Sequence, residues 1–154
     1  MKSKLYLALF ALGLFVFASC SEEGLNPRDI PNEIMDDFNQ RHPDASKIEW
    51  EREGDLWEAE FQENGIEVGI LYAADFTWIR TEYERELTDL PQAAVDYIET
   101  NLPGGKLDEV EYFESSNEGD GYIAEVVYQK NEHEIFFDLD GNFIREEIEK
   151  DDGD

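Results

Sequence analysis

The chain of 154 residues has one cysteine, Cys20, and two histidines, His42 and His133. A single cysteine excludes an intrachain disulfide. Basic residues are scarce: 12 Lys and Arg stand against 39 Asp and Glu, a formal charge of −27. Such a surface repels nucleic acid and anionic lipid headgroups, because both need cations to neutralise phosphate. The one long apolar run, Leu5 to Phe17, has 13 residues. A membrane-spanning helix needs roughly 20. Catalytic signatures are missing too. There is no G-x-S-x-G, no H-E-x-x-H, no phosphate-binding glycine loop, and no nucleophile with a base at motif spacing. No catalytic residue and no cofactor are assigned on this basis. Disorder is excluded in turn, because hydrophobic residues make up 41% and aromatics 13% of the chain, and they fall in period.

The amino terminus is not part of the fold. Lys2 and Lys4 precede the apolar run, and Ala18, Ser19 and Cys20 follow it. That order describes a secretory signal over residues 1–19. Phe17-Ala18-Ser19-Cys20 resembles the lipobox of bacterial lipoproteins, with Phe17 in place of the usual leucine. The resemblance implies lipid on Cys20, so the protein is anchored to a membrane without spanning it. Two of the 12 basic residues lie in the signal, so the remainder carries 10 against 39 acids, or −29. Residues 20–29 read as a tether. Glu22 and Glu23 resemble the acidic export tags of some outer-membrane lipoproteins. The expected location is the outer membrane, on its periplasmic side or the cell surface.

The rest is read as one unit used twice. Gly54 to Glu82, moved by 65 residues, falls on Gly119 to Glu147 without a gap. Gly54, Asp55, Ala59, Glu60, Ile70, Arg80 and Glu82 land on Gly119, Asp120, Ala124, Glu125, Ile135, Arg145 and Glu147. Aromatics land on aromatics: Trp57 on Tyr122, Tyr72 on Phe137 and Trp78 on Phe143. Such self-similarity is the mark of an internal repeat.

Each copy reads as a helix followed by four strands. Asp29 to Arg41 is the first helix, with Asp29 as cap, Pro31 in the first turn, and Ile34, Met35 and Phe38 on one face. His42-Pro43 stops it. Ile48 and Trp50, then Trp57, Ala59 and Phe61, alternate with acids and read as half-buried strands. Gly54-Asp55 and Asn64-Gly65 are hairpin turns. Glu67 to Tyr72 and Thr77 to Tyr83 complete the meander. The second copy runs from Leu90-Pro91 through Val95 and Ile98 to Leu102-Pro103. Its strands are Leu107 to Glu114, Tyr122 to Lys130, Glu132 to Asp138 and Phe143 to Glu149. The fold class is α+β: a tandem repeat of a helix followed by a four-stranded antiparallel meander, with the helices packed on one face of the sheet. Residues 30–87 form the first repeat, 88–150 the second, and 151–154 an acidic tail. The other sheet face carries the polar alternates and is a candidate working surface.

The chain resembles the PepSY-like family of exported bacterial proteins, described as β-lactamase-inhibitor-like. Ile30-Pro31, Pro43, Gly54-Asp55-Leu56-Trp57 and Ala73-Ala74-Asp75-Phe76-Thr77-Trp78 carry the resemblance in the first copy. Leu90-Pro91, Pro103, Gly119-Asp120-Gly121-Tyr122 and Asp138-Leu139-Asp140-Gly141-Asn142-Phe143 carry it in the second. Phe76 stands where the pattern has a turn glycine. The resemblance implies a tandem helix-plus-sheet fold and a binding role, including inhibition of an exported enzyme. It transfers no site residue.

Candidate residues follow from chemistry. Trp50, Trp57, Tyr72, Trp78, Tyr112 and Tyr122 are candidates for a partner-binding surface, since Trp and Tyr are enriched in hot spots. Core packing explains the same alternation. Asp138, Asp140 and Asn142 are weak metal candidates, because the sixth position of a calcium loop starting at Asp138 is Phe143 and not glycine. His133 shares a strand face with Ile135 and Phe137 and reads as packed structure. The leading reading is a non-enzymatic, lipid-anchored envelope module that engages a protein or peptide through the sheet face and loops. A cation-binding or sensing protein is the alternative, and a hydrolase with paired carboxylates is the third reading.

Overall fold

A computed structural model describes residues 25–150. Residues 1–24, with the expected signal segment and Cys20, and residues 151–154, the expected acidic tail, lie outside the described residues. A 3-10 turn at Pro27–Asp29 leads into helix α1 (Asn32–Arg41). Strands β1 (Ser46–Glu53), β2 (Leu56–Glu63), β3 (Ile66–Tyr72) and β4 (Trp78–Arg85) follow. A second 3-10 turn, Leu87–Asp89, precedes α2 (Gln92–Asn101). The chain then runs through β5 (Lys106–Ser115), β6 (Gly121–Tyr128), β7 (Asn131–Asp138) and β8 (Phe143–Lys150). All eight strands form one open antiparallel sheet in sequence order. The class is α+β. The two sets of four strands are not separate sheets, because β4 pairs with β5 along Arg80 to Arg85.

The helices start later than the sequence suggests. Asp29 belongs to the 3-10 turn, and Pro31 occupies the N-cap of α1 without a side-chain cap. Proline suits this place because its missing N–H would have no helical partner. His42 ends α1, its backbone N–H donating to the Phe38 carbonyl. Leu102 ends α2 in the same way, donating to Ile98.

Both helices cover the same sheet face. Ile34 and Phe38 of α1 pack on Trp50, Trp57, Ala59, Phe61, Val68, Ile70 and Tyr72. Ala94 and Ile98 of α2 pack on Val110, Ala124, Val126, Ile135 and Phe137. The register makes this one face: Ala59 stands opposite Ile70, Ile70 opposite Thr81, Tyr83 opposite Tyr112, and Val110 opposite Ala124. Period-two alternation therefore delivers one apolar row per strand to the helices. The turns use the expected chemistry. Asn64 and Gly65 both have positive φ (54° and 86°), as a tight hairpin turn requires. Phe76 adopts φ 70° where Gly141 adopts φ 84°, so a bulky side chain occupies a left-handed position in one turn and none does in the other.

Candidate functional site

The face turned away from the helices is built from the alternate residues. Glu58 and Glu60 of β2, Glu82 and Glu84 of β4, Glu109 and Glu111 of β5, Glu125 of β6, and Glu134 of β7 all point there by register. Carboxylates meet carboxylates across the strands. Glu49 stands opposite Glu60, Glu51 opposite Glu58, and Glu84 opposite Glu111. Glu109, Glu125, Glu134 and Glu147 form a row across β5 to β8. Like charges directly opposite each other destabilise a sheet. The side chains register this cost. Burial, then Glu51, Glu67 and Glu49, raise the Glu60 carboxyl from 4.5 to about 7. Burial, then Glu84, Glu67, Asp108 and Glu132, raise Glu109 equally to about 7. Burial, with Glu82, Glu109 and Glu134, pushes Glu111 well above the usual carboxylate range.

The middle of this face is not polar throughout. Phe113, Ile123 and Phe136 form a small buried cluster there, with Ile144 packed against it. Irregular register between Phe136 and Phe137 leaves Ile144 without a partner, and a bulge turns such a residue out of the alternation. Gly121 stands opposite Phe113, where an added Cβ would meet the Phe113 ring at 2.9 Å and the Phe137 carbonyl at 2.0 Å. Two arginines roof the cluster. The Arg145 guanidinium lies 3.4 Å and that of Arg80 5.4 Å from the Phe136 ring centre. Arg80 pairs with Glu82, which is 1% exposed, and Arg145 pairs with Glu147 and with both Glu118 oxygens at 3.1 and 3.2 Å. Burial works against the charge on Arg80, but Glu82, Glu134 and Glu111 outweigh it and hold the guanidinium more basic than usual.

The candidate aromatics lie on the helix side. Trp50, Trp57 and Tyr72 are buried core members, at 2%, 7% and 0% exposure. The Tyr72 hydroxyl donates to Asp37 Oδ2 at 3.0 Å. Trp78 is half-buried under the Arg41 guanidinium, 4.3 Å from its ring centre. Tyr112 and Tyr122 are half-buried neighbours with ring centres 6.1 Å apart. None of the six reaches the open face. Tyr83, which the alternation alone does not single out, completes a row with the last two.

Asp138 is occupied by its own turn. Its Oδ1 accepts from the backbone N–H groups of Asp140 and Asn142, and its Oδ2 from the Asn142 side chain. These bonds hold the Asp138 carboxyl below its ordinary value. Among the described residues, no three His, Cys, Asp or Glu side chains converge closely enough to hold a metal. Both histidines are buried on the helix side and face a carboxylate: His42 Nδ1 lies 3.2 Å from Glu63, and His133 Nδ1 2.7 Å from Glu146. Glu109, Glu111, Glu125 and Glu134 line one cleft together with Ile123, but it holds about 10 Å³. That is room for a single water and not for a substrate. A wider cleft of about 610 Å³ opens where the β2–β3 turn meets the link to α2, lined by Gly65, Ile66, Glu84, Arg85, Leu87 and Asp108, among others.

No family model matches the chain, and no curated protein does. Solved structures do match. A BLIP-like protein from Bacteroides fragilis is 26% identical, with TM-score 0.62, covering 80% of this chain and 91% of the other. A DUF2874 family protein from Bacteroides uniformis is 17% identical, with TM-score 0.64, covering 77% and 89%. A candidate periplasmic protein from Bacteroides eggerthii is also 17% identical, with TM-score 0.63, covering 77% and 88%. The chain has a BLIP-like fold.

Proposed function

We propose that the protein is a non-enzymatic, lipid-anchored envelope module that engages a basic segment of a protein or peptide through the open sheet face and its loops, and so inhibits that partner where the segment is functional. The carrying observation is the crowding of like charges at Glu60, which faces Glu49 and is raised by burial and then by Glu51, Glu67 and Glu49, and at Glu109, which is raised by burial and then by Glu84 and Glu67. A face that keeps its acids opposed sacrifices stability, and a cationic partner would return it. The fold likeness to a BLIP-like protein and to a candidate periplasmic protein supports an exported binding role. Lipid on Cys20 would place the module at the outer membrane. The matching order of α1 with β1–β4 and α2 with β5–β8 supports two copies of one ancestral unit, residues 30–87 and 88–150. Cation sensing has no comparable support, since no metal-sized cluster of ligands occurs among the described residues.

Calorimetry of the full chain with a lysine- and arginine-rich peptide tests this reading. Affinity is expected to fall steeply as salt rises. A Glu60→Gln/Glu109→Gln variant is expected to bind about tenfold more weakly. At pH 8, where Glu60 and Glu109 are mostly ionised, a control that loses the same number of acids on the exposed side of α2, Asp96→Asn/Glu99→Gln, is expected to bind as the parent does. Equal weakening in both variants would reduce the face to general electrostatics. A cell-envelope pull-down with no stoichiometric partner would count against the whole reading.

A further inference from the structure

Tyr83, Tyr112 and Tyr122 come from three adjacent strands and stand directly opposite one another. Their ring centres are 5.9 and 6.1 Å apart. They occupy the seam between the two cores. Tyr83 packs against the first core and Tyr122 against the second, while Tyr112 belongs to neither. All three are half-buried.

A cation already lies on this ladder. The Arg85 guanidinium sits 5.6 Å from the Tyr83 ring centre and 5.5 Å from that of Tyr112. Its Nη1 donates to the Glu84 carbonyl at 2.8 Å. Among the described residues it makes no ion pair, although the chain has 39 acids. The rings hold it where a carboxylate would be the ordinary partner. At the other end of the ladder, the Tyr112–Tyr122 pair carries no described cation. Carboxylates rim this end. Glu114 bears on Tyr83 and Tyr112, and Asp120 on Tyr112. Neither acid forms an ion pair among the described residues.

We propose that the Tyr83–Tyr112–Tyr122 ladder is a docking site for an arginine-bearing segment of a protein partner, whose guanidinium stacks on Tyr112 and Tyr122 and pairs with Glu114 and Asp120. A guanidinium suits the site better than an ammonium, because it is flat, stacks on aromatic faces and donates in a fork. Arg85 fills the neighbouring position and shows the geometry the rings accept. The site lies on the helix side, so it stands independently of the open acidic face.

Two capped pentapeptides of equal charge, Gly-Arg-Gly-Arg-Gly and Gly-Lys-Gly-Lys-Gly, are titrated into the full chain by calorimetry, with the tyrosine ring signals followed by NMR. The arginine peptide is expected to bind at least fivefold more tightly and to shift the Tyr112 and Tyr122 ring resonances. Tyr122→Leu, which keeps the bulk packed on the second core, is expected to remove the arginine preference. Glu114→Gln/Asp120→Asn does the same while leaving both cores untouched, so a folding defect cannot explain both losses. The Glu60→Gln/Glu109→Gln variant is expected to keep the preference. Equal binding of the two peptides, or an arginine preference that survives in both ladder variants, would overturn the proposal. A preference lost only in the open-face variant would overturn it too, and would leave the open-face reading standing.

Discussion

On the helix side of β2, Trp57, Ala59 and Phe61 meet Ile34 and Phe38 of α1, and the sheet is closed by apolar contact. One residue along the same strand, Glu58 and Glu60 face outward with no helix above them. The open face nevertheless buries side chains: Phe113 and Phe136 at 0%, Glu82 at 1% and Glu58 at 7% exposure. What closes it is charge. Arg80 and Arg145 lie across Phe136 with their carboxylate partners. One face is held by non-directional burial, which tolerates any apolar shape of the right volume. The other depends on a few ion pairs whose loss leaves uncompensated charge. The first face serves stability, and the second holds partly buried carboxylates beside one another.

The largest expected effect lies on the helix side. Phe38 is fully buried, with its ring centre 5.1 to 5.8 Å from those of Phe61, Trp50 and His42. Phe38→Ala removes the contacts and leaves a cavity, at a cost of about 4 kcal/mol in urea unfolding. A loss below about 1 kcal/mol would mean that α1 is not what closes this core. On the open face, Arg80→Leu strands Glu82 among Glu111 and Glu134, and about 3 kcal/mol is expected to go. The double variant Arg80→Leu/Glu82→Leu is expected to recover most of it, because both buried charges are then gone. If the double variant is no better than the single one, the arginine holds the face by packing on Phe136, and the two faces are more alike than the charges suggest.

The strand pattern was legible because most strands keep an apolar row toward the helices, and the observed strand bounds fall close to the alternating runs. The turns were legible from Asn64-Gly65 and Gly54-Asp55, whose backbone needs glycine or asparagine. The roofed cluster on the open face was harder to foresee. Its signal is present in Tyr112-Phe113, Ile123-Ala124 and Ile135-Phe136-Phe137, adjacent apolar residues that mark a strand buried on both sides. The arginines carried a weaker signal, Arg80-x-Glu82 and Arg145-x-Glu147 at matching places. The tyrosine ladder was not legible at all. It depends on β4 pairing with β5 across the link that contains α2, and pattern within a strand says nothing about register between distant strands. The aromatic candidates on β1 to β3 followed the apolar row, so the packing reading of their alternation describes where they sit.

The smallest expected effect compares the faces by acidity. Glu60 and Glu109 titrate near 7 in the folded protein, raised first by burial and then by neighbouring glutamates, against 4.5 for a free side chain. The folded state therefore holds protons that the unfolded state releases. Stability must fall as pH rises from about 4.5 to about 7, and the penalty is complete above that. Both groups keep solvent contact, so screening reduces the effect to about 1 kcal/mol in total. The melting temperature is expected to be a few degrees higher at pH 5.5 than at pH 8. Glu60→Gln/Glu109→Gln should raise the value at pH 8 and flatten the slope between the two, since the amides cannot ionise. A bound basic peptide should flatten it as well, by giving the carboxylates a counter-charge. A protein that melts at the same temperature across this window would show that the opposed glutamates are solvated well enough to ignore one another, and the open face would then offer a partner charge without stored repulsion.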